Sequence, residues 1–158
     1  MKPKTSPLSL IAASCLLCAV GLSYAQSAPS TVTCPTLPDT VMIELQWVVL
    51  RTDSALLCRA VSKDGGNEAF ALTLSLKSPF KPDRNLRAEQ GQIEGKTLWW
   101  YRAEIAGRPN ALLRETLVKL DSGRVMHAFI RTEDAGILTR YQQIVQALDF
   151  AAPSVAVR

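Results

Sequence analysis

A single histidine, His127, limits the chemistry that this chain of 158 residues can perform. A catalytic triad requires a histidine aimed at an activated nucleophile, and the sequence contains no G-x-S-x-G motif that would supply a serine. Zinc sites are usually built from several His or Cys ligands, and calcium loops need a D-x-D-x-D-G type of spacing; the sequence has neither. We therefore predict no catalytic residues, no metal site and no cofactor, and we interpret His127 as a half-buried residue hydrogen-bonded to backbone.

Paired carboxylates are the remaining route to hydrolysis, because a glycosidase needs only two of them. Glu104 and Glu115 could face each other across a predicted hairpin. Arg102 and Arg114 lie close to these acids in the sequence. Cross-strand charge pairing on a solvated sheet face therefore explains the acids without catalysis.

Three consecutive aromatic residues, Trp99, Trp100 and Tyr101, are the most conspicuous candidates for binding. Alternate side chains of a strand point to opposite faces, so Trp99 and Tyr101 are expected to share one face while Trp100 lies on the other. At least one ring is therefore exposed unless both sheet faces are covered, in which case the rings fill the core.

The longest irregular connection in the body of the chain, residues 77–85, contains two prolines and three basic residues. Long loops on rigid scaffolds often carry function. Together with the aromatic triplet, this loop gives the predicted binding surface, which consists of Trp99, Trp100, Tyr101, Lys77, Lys81 and Arg84.

The first 25 residues have the organisation of a secretory signal peptide. Two lysines and no acid precede an apolar run over residues 8–22, and a short Ser-Tyr-Ala sequence follows it. The mature chain is then expected to begin at Gln26. A retained anchor is one alternative, although the run is shorter than the roughly 20 residues that span a bilayer; lipid modification of Cys15 is another. We predict a periplasmic or secreted protein with no integral membrane segment after cleavage.

Signal removal leaves two cysteines, Cys34 and Cys58, because Cys15 and Cys18 both lie within the apolar run. In an oxidising compartment a lone pair of cysteines is most simply a disulfide. Closing a loop of about 25 residues would stabilise the fold by about 3.5 kcal/mol in the chain-entropy model. We therefore predict a Cys34–Cys58 disulfide, with a free reactive thiol as the alternative.

The mature chain is close to neutral. The full sequence has 18 Lys and Arg against 14 Asp and Glu, and removal of residues 1–25 takes away two lysines, which leaves 16 against 14, a net charge of +2. Nucleic-acid binding requires clustered basic residues, whereas acids and bases alternate along this chain. We predict a protein partner in the cell envelope and no nucleic acid.

Alternating apolar and polar residues predict an antiparallel sheet of about six or seven strands. The pattern begins at Val41, whose side chain is expected to share a face with Ile43, Leu45, Trp47 and Val49. Clusters of turn-forming residues separate the further predicted strands, which cover residues 55–61, 70–76, 87–94, 97–105, 111–120 and 124–131.

The periodicity changes near the C-terminus. Apolar residues recur at helical spacing from Ile137 to Leu148, and either Thr132 or Asp134 can cap the start of the helix. We expect this amphipathic helix to pack on the sheet, which makes the fold α+β.

Length and composition allow one domain in the mature chain. We predict a signal peptide at residues 1–25, a strap rich in Pro, Ser and Thr at residues 26–39, a single α+β domain at residues 40–150 and a tail at residues 151–158.

Residues 95–150 resemble a known family in the order of their elements. GKTLWWYRAEIAG is followed by ALLRETLVKLDSGRVMHAFIRTEDAG and then by ILTRYQQIVQALDF, an arrangement that resembles the Mog1/PsbP-like group. The resemblance covers this segment alone and implies an antiparallel sheet that ends in a helix. Members of that group are mostly accessory and binding proteins, so the resemblance implies no shared chemistry.

These observations predict an exported, non-catalytic protein-binding module, either an assembly accessory or an immunity-type inhibitor of an enzyme delivered to the envelope. One alternative is a small-ligand or cell-wall-fragment binding protein that uses Trp99, Trp100 and the basic loop. A second alternative is a small envelope hydrolase.

Overall fold

The computed structural model describes residues 32–78 and 80–150. Within them, seven strands form one antiparallel sheet, as predicted. The strands are β1 (Leu45–Arg51), β2 (Ala55–Ser62), β3 (Glu68–Ser75), β4 (Arg87–Ile93), β5 (Lys96–Ala103), β6 (Leu112–Lys119) and β7 (Val125–Thr132). The helical elements are α1 (Asp39–Met42) before β1, a 3-10 turn (Arg84–Leu86) before β4, and α2 (Ala135–Gln146) after β7.

The sheet is assembled from two meanders, β1–β3 and β4–β7. Its strand order is β1-β2-β3-β7-β6-β5-β4, and the meanders join where β3 pairs with β7. A crossover loop, defined here as residues 76–78 and 80–83, leaves β3 inside the sheet and reaches β4 at the far edge. To do so it must pass β7, β6 and β5, which places it across one face of the sheet.

The two faces of the sheet have different coverings. Alternation along the strands places Trp100 and Met126 on the face that packs against α2, called here the helix face. Tyr101 and His127 lie on the opposite face, called the loop face, where Phe80 of the crossover loop contacts both rings. Both faces of the central strands are therefore covered, one by a helix and the other by a loop.

Helix α2 is the predicted C-terminal helix, and Asp134 determines where it starts. The Oδ1 atom of Asp134 accepts a hydrogen bond from the backbone N–H of Ile137 at 2.9 Å, while the hydroxyl of Thr132 accepts one from the N–H of Asp134. Asp134 is therefore the cap, and Thr132 supports it. The helix buries one apolar side against the sheet, formed by Leu138, Ile144 and Val145. With 12 residues in α2 and four in α1, the fold is mostly β.

The first strand begins later than the alternating pattern indicates. Val41 lies in α1 and Ile43 follows it, so the predicted strand positions before Leu45 are wrong. The carbonyl oxygen of Pro38 accepts hydrogen bonds from the N–H groups of Val41 and Met42, which closes a helical turn. Proline lacks a backbone N–H and is tolerated where a helix begins, and here the helical turn that starts at Pro38 replaces the first part of the predicted strand.

A disulfide and a side-chain hydrogen bond hold the strap before α1 against the helix face. Cys34 and Cys58 form the predicted disulfide, and Cys58 is fully buried in β2. The indole Nε1 of Trp47 donates a hydrogen bond to the carbonyl oxygen of Pro35 at 2.8 Å. The strap therefore runs over β1 and β2 and completes the core beside α2.

The two ends of the described chain meet on this side of the sheet. Thr36 of the strap and Asp149 beyond α2 form an antiparallel bridge with two backbone hydrogen bonds. At the start of the described strap, the carbonyl oxygen of Val32 accepts a hydrogen bond from the guanidinium of Arg51 at 2.6 Å.

The predicted signal peptide, residues 26–31 of the strap and the tail at residues 151–158 lie outside the described residues. In the part of the chain that the structure describes, no helix combines the length and apolar character needed to cross a membrane. A disulfide is compatible with an exported protein.

Candidate functional site

The crossover loop is anchored to the loop face by the ring of Phe80. This ring stacks on His127 with 4.9 Å between centroids and 16° between planes, and it meets the ring of Tyr101 edge-on at 5.9 Å. Aromatic pairs of this kind contribute about 0.5–1.5 kcal/mol beyond the area that they bury. Phe80 therefore holds the middle of the loop over β5 and β7.

His127 is held by a carboxylate and not, as predicted, by backbone. Its Nε2 atom lies 3.1 Å from Oε2 of Glu115, and both side chains are partly buried. Glu115 stands opposite Tyr101 across β5 and β6, while Glu104 lies beyond the end of β5. Glu104 and Glu115, which could have faced each other across the hairpin, are therefore apart. Glu115 contacts the edge of the His127 imidazole, and Phe80 stacks on its face.

Trp99 lies on the loop face beneath a cation. The guanidinium carbon of Arg87 is 4.9 Å from the centroid of the Trp99 indole, which is a cation–π contact. Arg87 directly follows the 3-10 turn that ends the crossover connection. The far end of the connection is thus held by Arg87, as its middle is held by Phe80.

The three predicted loop cations are turned to solvent. Lys77, Lys81 and Arg84 are all exposed, and within the described residues none of them forms an ion pair. Including Arg87, residues 77–87 contain four basic side chains against Asp83 alone, which is a local net charge of +3. This stretch therefore departs from the alternation of acids and bases along the rest of the sequence and carries a local excess of positive charge.

A depression of about 570 Å³ adjoins the start of the loop. Lys77 and Arg124 supply two basic groups to its wall and Asp53 supplies one acid, while Leu76 and Ala55 supply apolar surface. Leu76 is 69% exposed. We call the exposed side of residues 76–78 and 80–87 together with this depression the crossover surface. It combines apolar contact area with three basic side chains, Lys77, Lys81 and Arg84, that form no ion pair within the described residues.

The structure separates the members of the predicted aromatic set. Trp100 lies on the helix face and is 1% exposed, so it is core and not surface. Tyr101 is buried beneath Phe80, and Trp99 is half-buried beneath Arg87. Alternation along β5 predicts that Trp100 lies on one face and the other two rings on the opposite face. It does not predict that the crossover loop covers that opposite face.

Phe80 and Arg87 are the positioning residues that sequence reasoning did not identify. A lone aromatic residue in a basic, proline-containing loop was the available signal for Phe80. Its partners on β5 and β7 could be named only after the strand order was known.

A second opening, a cleft of about 410 Å³, lies between α2 and the strands β4 to β6. Arg114 donates to both carboxylate oxygens of Glu89, from Nε to Oε2 at 2.8 Å and from Nη2 to Oε1 at 2.7 Å. The side-chain amide of Gln142 on α2 donates to the same carboxylate at 3.1 Å. The charged groups of the cleft therefore satisfy one another, and the cluster ties α2 to the sheet.

Glu89 is expected to make stability depend on pH. The hydrogen bonds from Arg114 hold the pKa of Glu89 below its ordinary value, and Gln142 adds to this effect while partial burial opposes it. Since the folded-state pKa is lowered, the stabilising contribution is present above the ordinary carboxyl pKa. It is lost as the pH falls through the lower, folded-state pKa.

The test is Glu89→Gln, which keeps the size of the side chain. The variant is expected to lose about 0.2–1 kcal/mol of unfolding free energy near pH 7, the range measured for exposed ion pairs. Urea unfolding of both proteins near neutral pH and near pH 3 should show this difference closing in acid. A difference that stays constant with pH would contradict a role for the carboxylate charge.

Over residues 32–78 and 80–150, no group of three His, Cys, Asp or Glu side chains is close enough to hold a metal ion. Comparison with known proteins found no family model, no curated protein and no solved structure that matches the chain. The resemblance of residues 95–150 to the Mog1/PsbP-like group therefore stays a prediction.

Proposed function

We propose that this protein is an exported, non-catalytic module that binds an acidic protein of the cell envelope through the crossover surface. The observation that carries the proposal is the local net charge of +3 over residues 77–87. Clustered charge of one sign attracts a partner of opposite sign and speeds encounter with it. The acidic partner supplies the counter-charges that the loop cations lack within the described chain.

The anchoring of the loop also favours recognition of a partner. Binding is weakened when a mobile segment must be ordered during association. Phe80 and Arg87 already hold the middle and the end of the connection against the sheet. The cations can therefore meet a partner with little further loss of conformational entropy.

Two kinds of envelope protein fit this surface. One is a component of an envelope assembly, for which the protein is an accessory. The other is an enzyme delivered to the envelope, which the crossover loop occludes as an immunity-type inhibitor. Either partner would bind through the same contacts, because either must present an acidic surface patch to Lys81 and Arg84.

The geometry of His127 supports a non-catalytic role. A general base must reach the proton that it removes, whereas this imidazole is covered on one face by Phe80 and engaged by Glu115. Opening the site to a substrate would require the loop to leave the sheet.

Charge reversal on the loop tests the proposal. The mature, disulfide-bonded protein, immobilised and exposed to an envelope extract, is expected to retain a partner that Lys81→Glu with Arg84→Glu binds about tenfold or more weakly, because like charges then meet. The matched control is Lys63→Glu with Arg140→Glu, which reverses two cations outside the crossover surface. Lys63 contacts the carbonyl oxygen of Met42, and Arg140 contacts Glu44. It should bind the partner as the unaltered protein does.

Equal retention by the loop variant and the control would contradict the proposal. Retention should also fall as salt is raised, because exposed charges are screened. Titration with soluble envelope glycans, followed by tryptophan fluorescence, addresses the small-ligand alternative: a shift from Trp99 beneath Arg87, without any retained protein, would favour that alternative.

A further inference from the structure

The strand β1 is one edge of the sheet, and among the described strands none lies beside its outward-pointing backbone groups. Thr52 N donates a hydrogen bond to Ala55 O, and Lys63 N donates one to Glu44 O. In the register of β1 with β2, the backbone N–H and C=O groups of the even-numbered residues therefore point toward β2. Hydrogen-bonded and outward-facing residues alternate along an antiparallel strand. The outward N–H and C=O groups are therefore those of the odd-numbered residues, Leu45, Trp47, Val49 and Arg51.

Apolar side chains accompany these outward-pointing backbone groups. Val48, Val49 and Leu50 are 44%, 52% and 60% exposed, and alternation places them on both faces of the strand. Over its seven residues β1 has no proline and no lysine, and its pairing with β2 shows no bulge. Exposed edge strands normally carry such features, because a bare edge is a template for another strand.

The opposite edge of the same sheet is protected. The pairing of β4 with β5 shifts register between Arg87 and Gln90, and the side chain of Gln146 on α2 accepts a hydrogen bond from the backbone N–H of Gln92 at 2.9 Å. A side chain at Gly91 would collide with Gln146, so the glycine makes room for this cap. Only one of the two edges is thus left open in the described structure.

We propose that β1 pairs with β1 of a second copy of this chain, in antiparallel orientation and with Val48 on the two-fold axis. This register places Trp47 opposite Val49 of the second copy and Leu45 opposite Arg51 of the second copy. All four outward-facing residues of each copy then exchange backbone hydrogen bonds, so four residues in each of two copies give eight bonds. The pairing leaves none of the outward N–H groups of β1 without a partner.

The side chains agree with this register. On the loop face Val48 meets its own symmetry mate, and Leu50 meets Gln46 of the second copy. On the helix face the exposed Val49 meets the half-buried Trp47, and directly opposed pairs of this kind stabilise antiparallel sheets. Arg51 is the one charged residue of β1, and the two copies of it lie at opposite ends, so no like charges meet.

The pairing is independent of the proposed function. The crossover loop contacts β5 and β7, whereas β1 is the edge strand on the other side of β2 and β3. A pair of strands this short buries less surface than the roughly 1,600 Å² of a standard interface. The dimer is therefore expected to be reversible, with a mass that depends on concentration.

Sedimentation of the mature, disulfide-bonded protein over a dilution series is expected to show monomer and dimer in exchange. Val48→Lys brings two positive charges together at the axis and should weaken association about tenfold or more, because directly opposed like charges destabilise a sheet. Val48 is exposed at an edge, so circular dichroism should show an unchanged fold. The control Ile137→Lys adds the same charge at an exposed position on α2 and should leave association unchanged.

Disulfide trapping tests the register itself. Directly opposed residues without mutual hydrogen bonds have Cα atoms about 4.5 Å apart, which is within disulfide range, so Val48→Cys is expected to cross-link two copies. In the same register the two copies of residue 46 are four positions apart, about 13 Å, so Gln46→Cys should stay monomeric under oxidation. A constant monomer mass up to the solubility limit, or cross-linking at residue 46 but not at residue 48, would overturn the proposal.

Discussion

Replacing Trp100 with alanine is expected to lower the free energy of unfolding by about 3–5 kcal/mol, the range for aromatic side chains removed from a core. Trp100 is the largest of the fully buried side chains in the described structure. It lies between the sheet and α2, where Leu138 lines the same cleft. Truncation would therefore remove contacts on β5 and on the helix together, and the cavity could not be filled without moving α2.

The matched variant Trp100→Phe separates packing from the polar group of the indole. The Nε1–H of Trp100 is buried and has no hydrogen-bond partner in the described part of the chain. Leaving such a group unpaired costs about 1–3 kcal/mol, so its removal offsets part of the volume that is lost. We therefore expect Trp100→Phe, which keeps one aromatic ring and removes the unpaired N–H, to lose clearly less than Trp100→Ala.

Urea unfolding followed by far-ultraviolet circular dichroism measures both variants on the same scale. A loss for Trp100→Phe as large as that for Trp100→Ala would contradict the expected gain from removing the unpaired indole N–H. Similar small losses for both variants would show that α2 closes over the cavity.

Removal of the Cys34–Cys58 disulfide is expected to lower the free energy of unfolding by about 3.5 kcal/mol, from the entropy that the unfolded chain regains when the loop is opened. The closed loop has a sequence separation of 24. In the folded state Cys34 belongs to the strap, whose other hydrogen bonds come from single side chains such as Trp47 and from the bridge at Thr36. Stability and attachment of the strap should therefore decrease together.

The variant Cys34→Ser with Cys58→Ala is the appropriate form of this test. Cys58 is completely buried, so alanine avoids leaving an unpaired hydroxyl in the core, whereas residue 34 is only partly buried and accepts serine. Urea unfolding gives the free energy of unfolding of each protein. Adding reductant should lower this free energy for the unaltered protein by about as much as the double substitution lowers it without reductant. The double variant should not respond to reductant, and an unaltered protein that also fails to respond would contradict the prediction.

Much of the sheet and the C-terminal helix could be predicted, because their information is local. Period-two alternation identified the strands, and helical spacing from Ile137 onward identified α2. The start of β1 was wrong for an equally local reason, since Pro38 closes a helical turn over Val41 and Met42. A proline at a boundary can outweigh a correct side-chain pattern for several residues.

The binding surface was less predictable because it depends on strand order. The cations Lys77, Lys81 and Arg84 are visible as composition, but local pattern does not show that β3 pairs with β7. That pairing sends the loop across the sheet, brings Phe80 onto His127 and covers Tyr101. Contacts between residues distant in sequence decided which aromatic residues are accessible.

The seam between β3 and β7 also has a consequence for how fast the chain folds. Each meander can form from neighbouring segments, but the pairing of Phe70 with Ile130 joins residues 60 positions apart. Closing so long a segment costs entropy before the contact is gained, and folds rich in non-local pairs reach the native state in milliseconds to seconds. Docking of the two meanders along this seam is therefore expected to be the step that limits the folding rate.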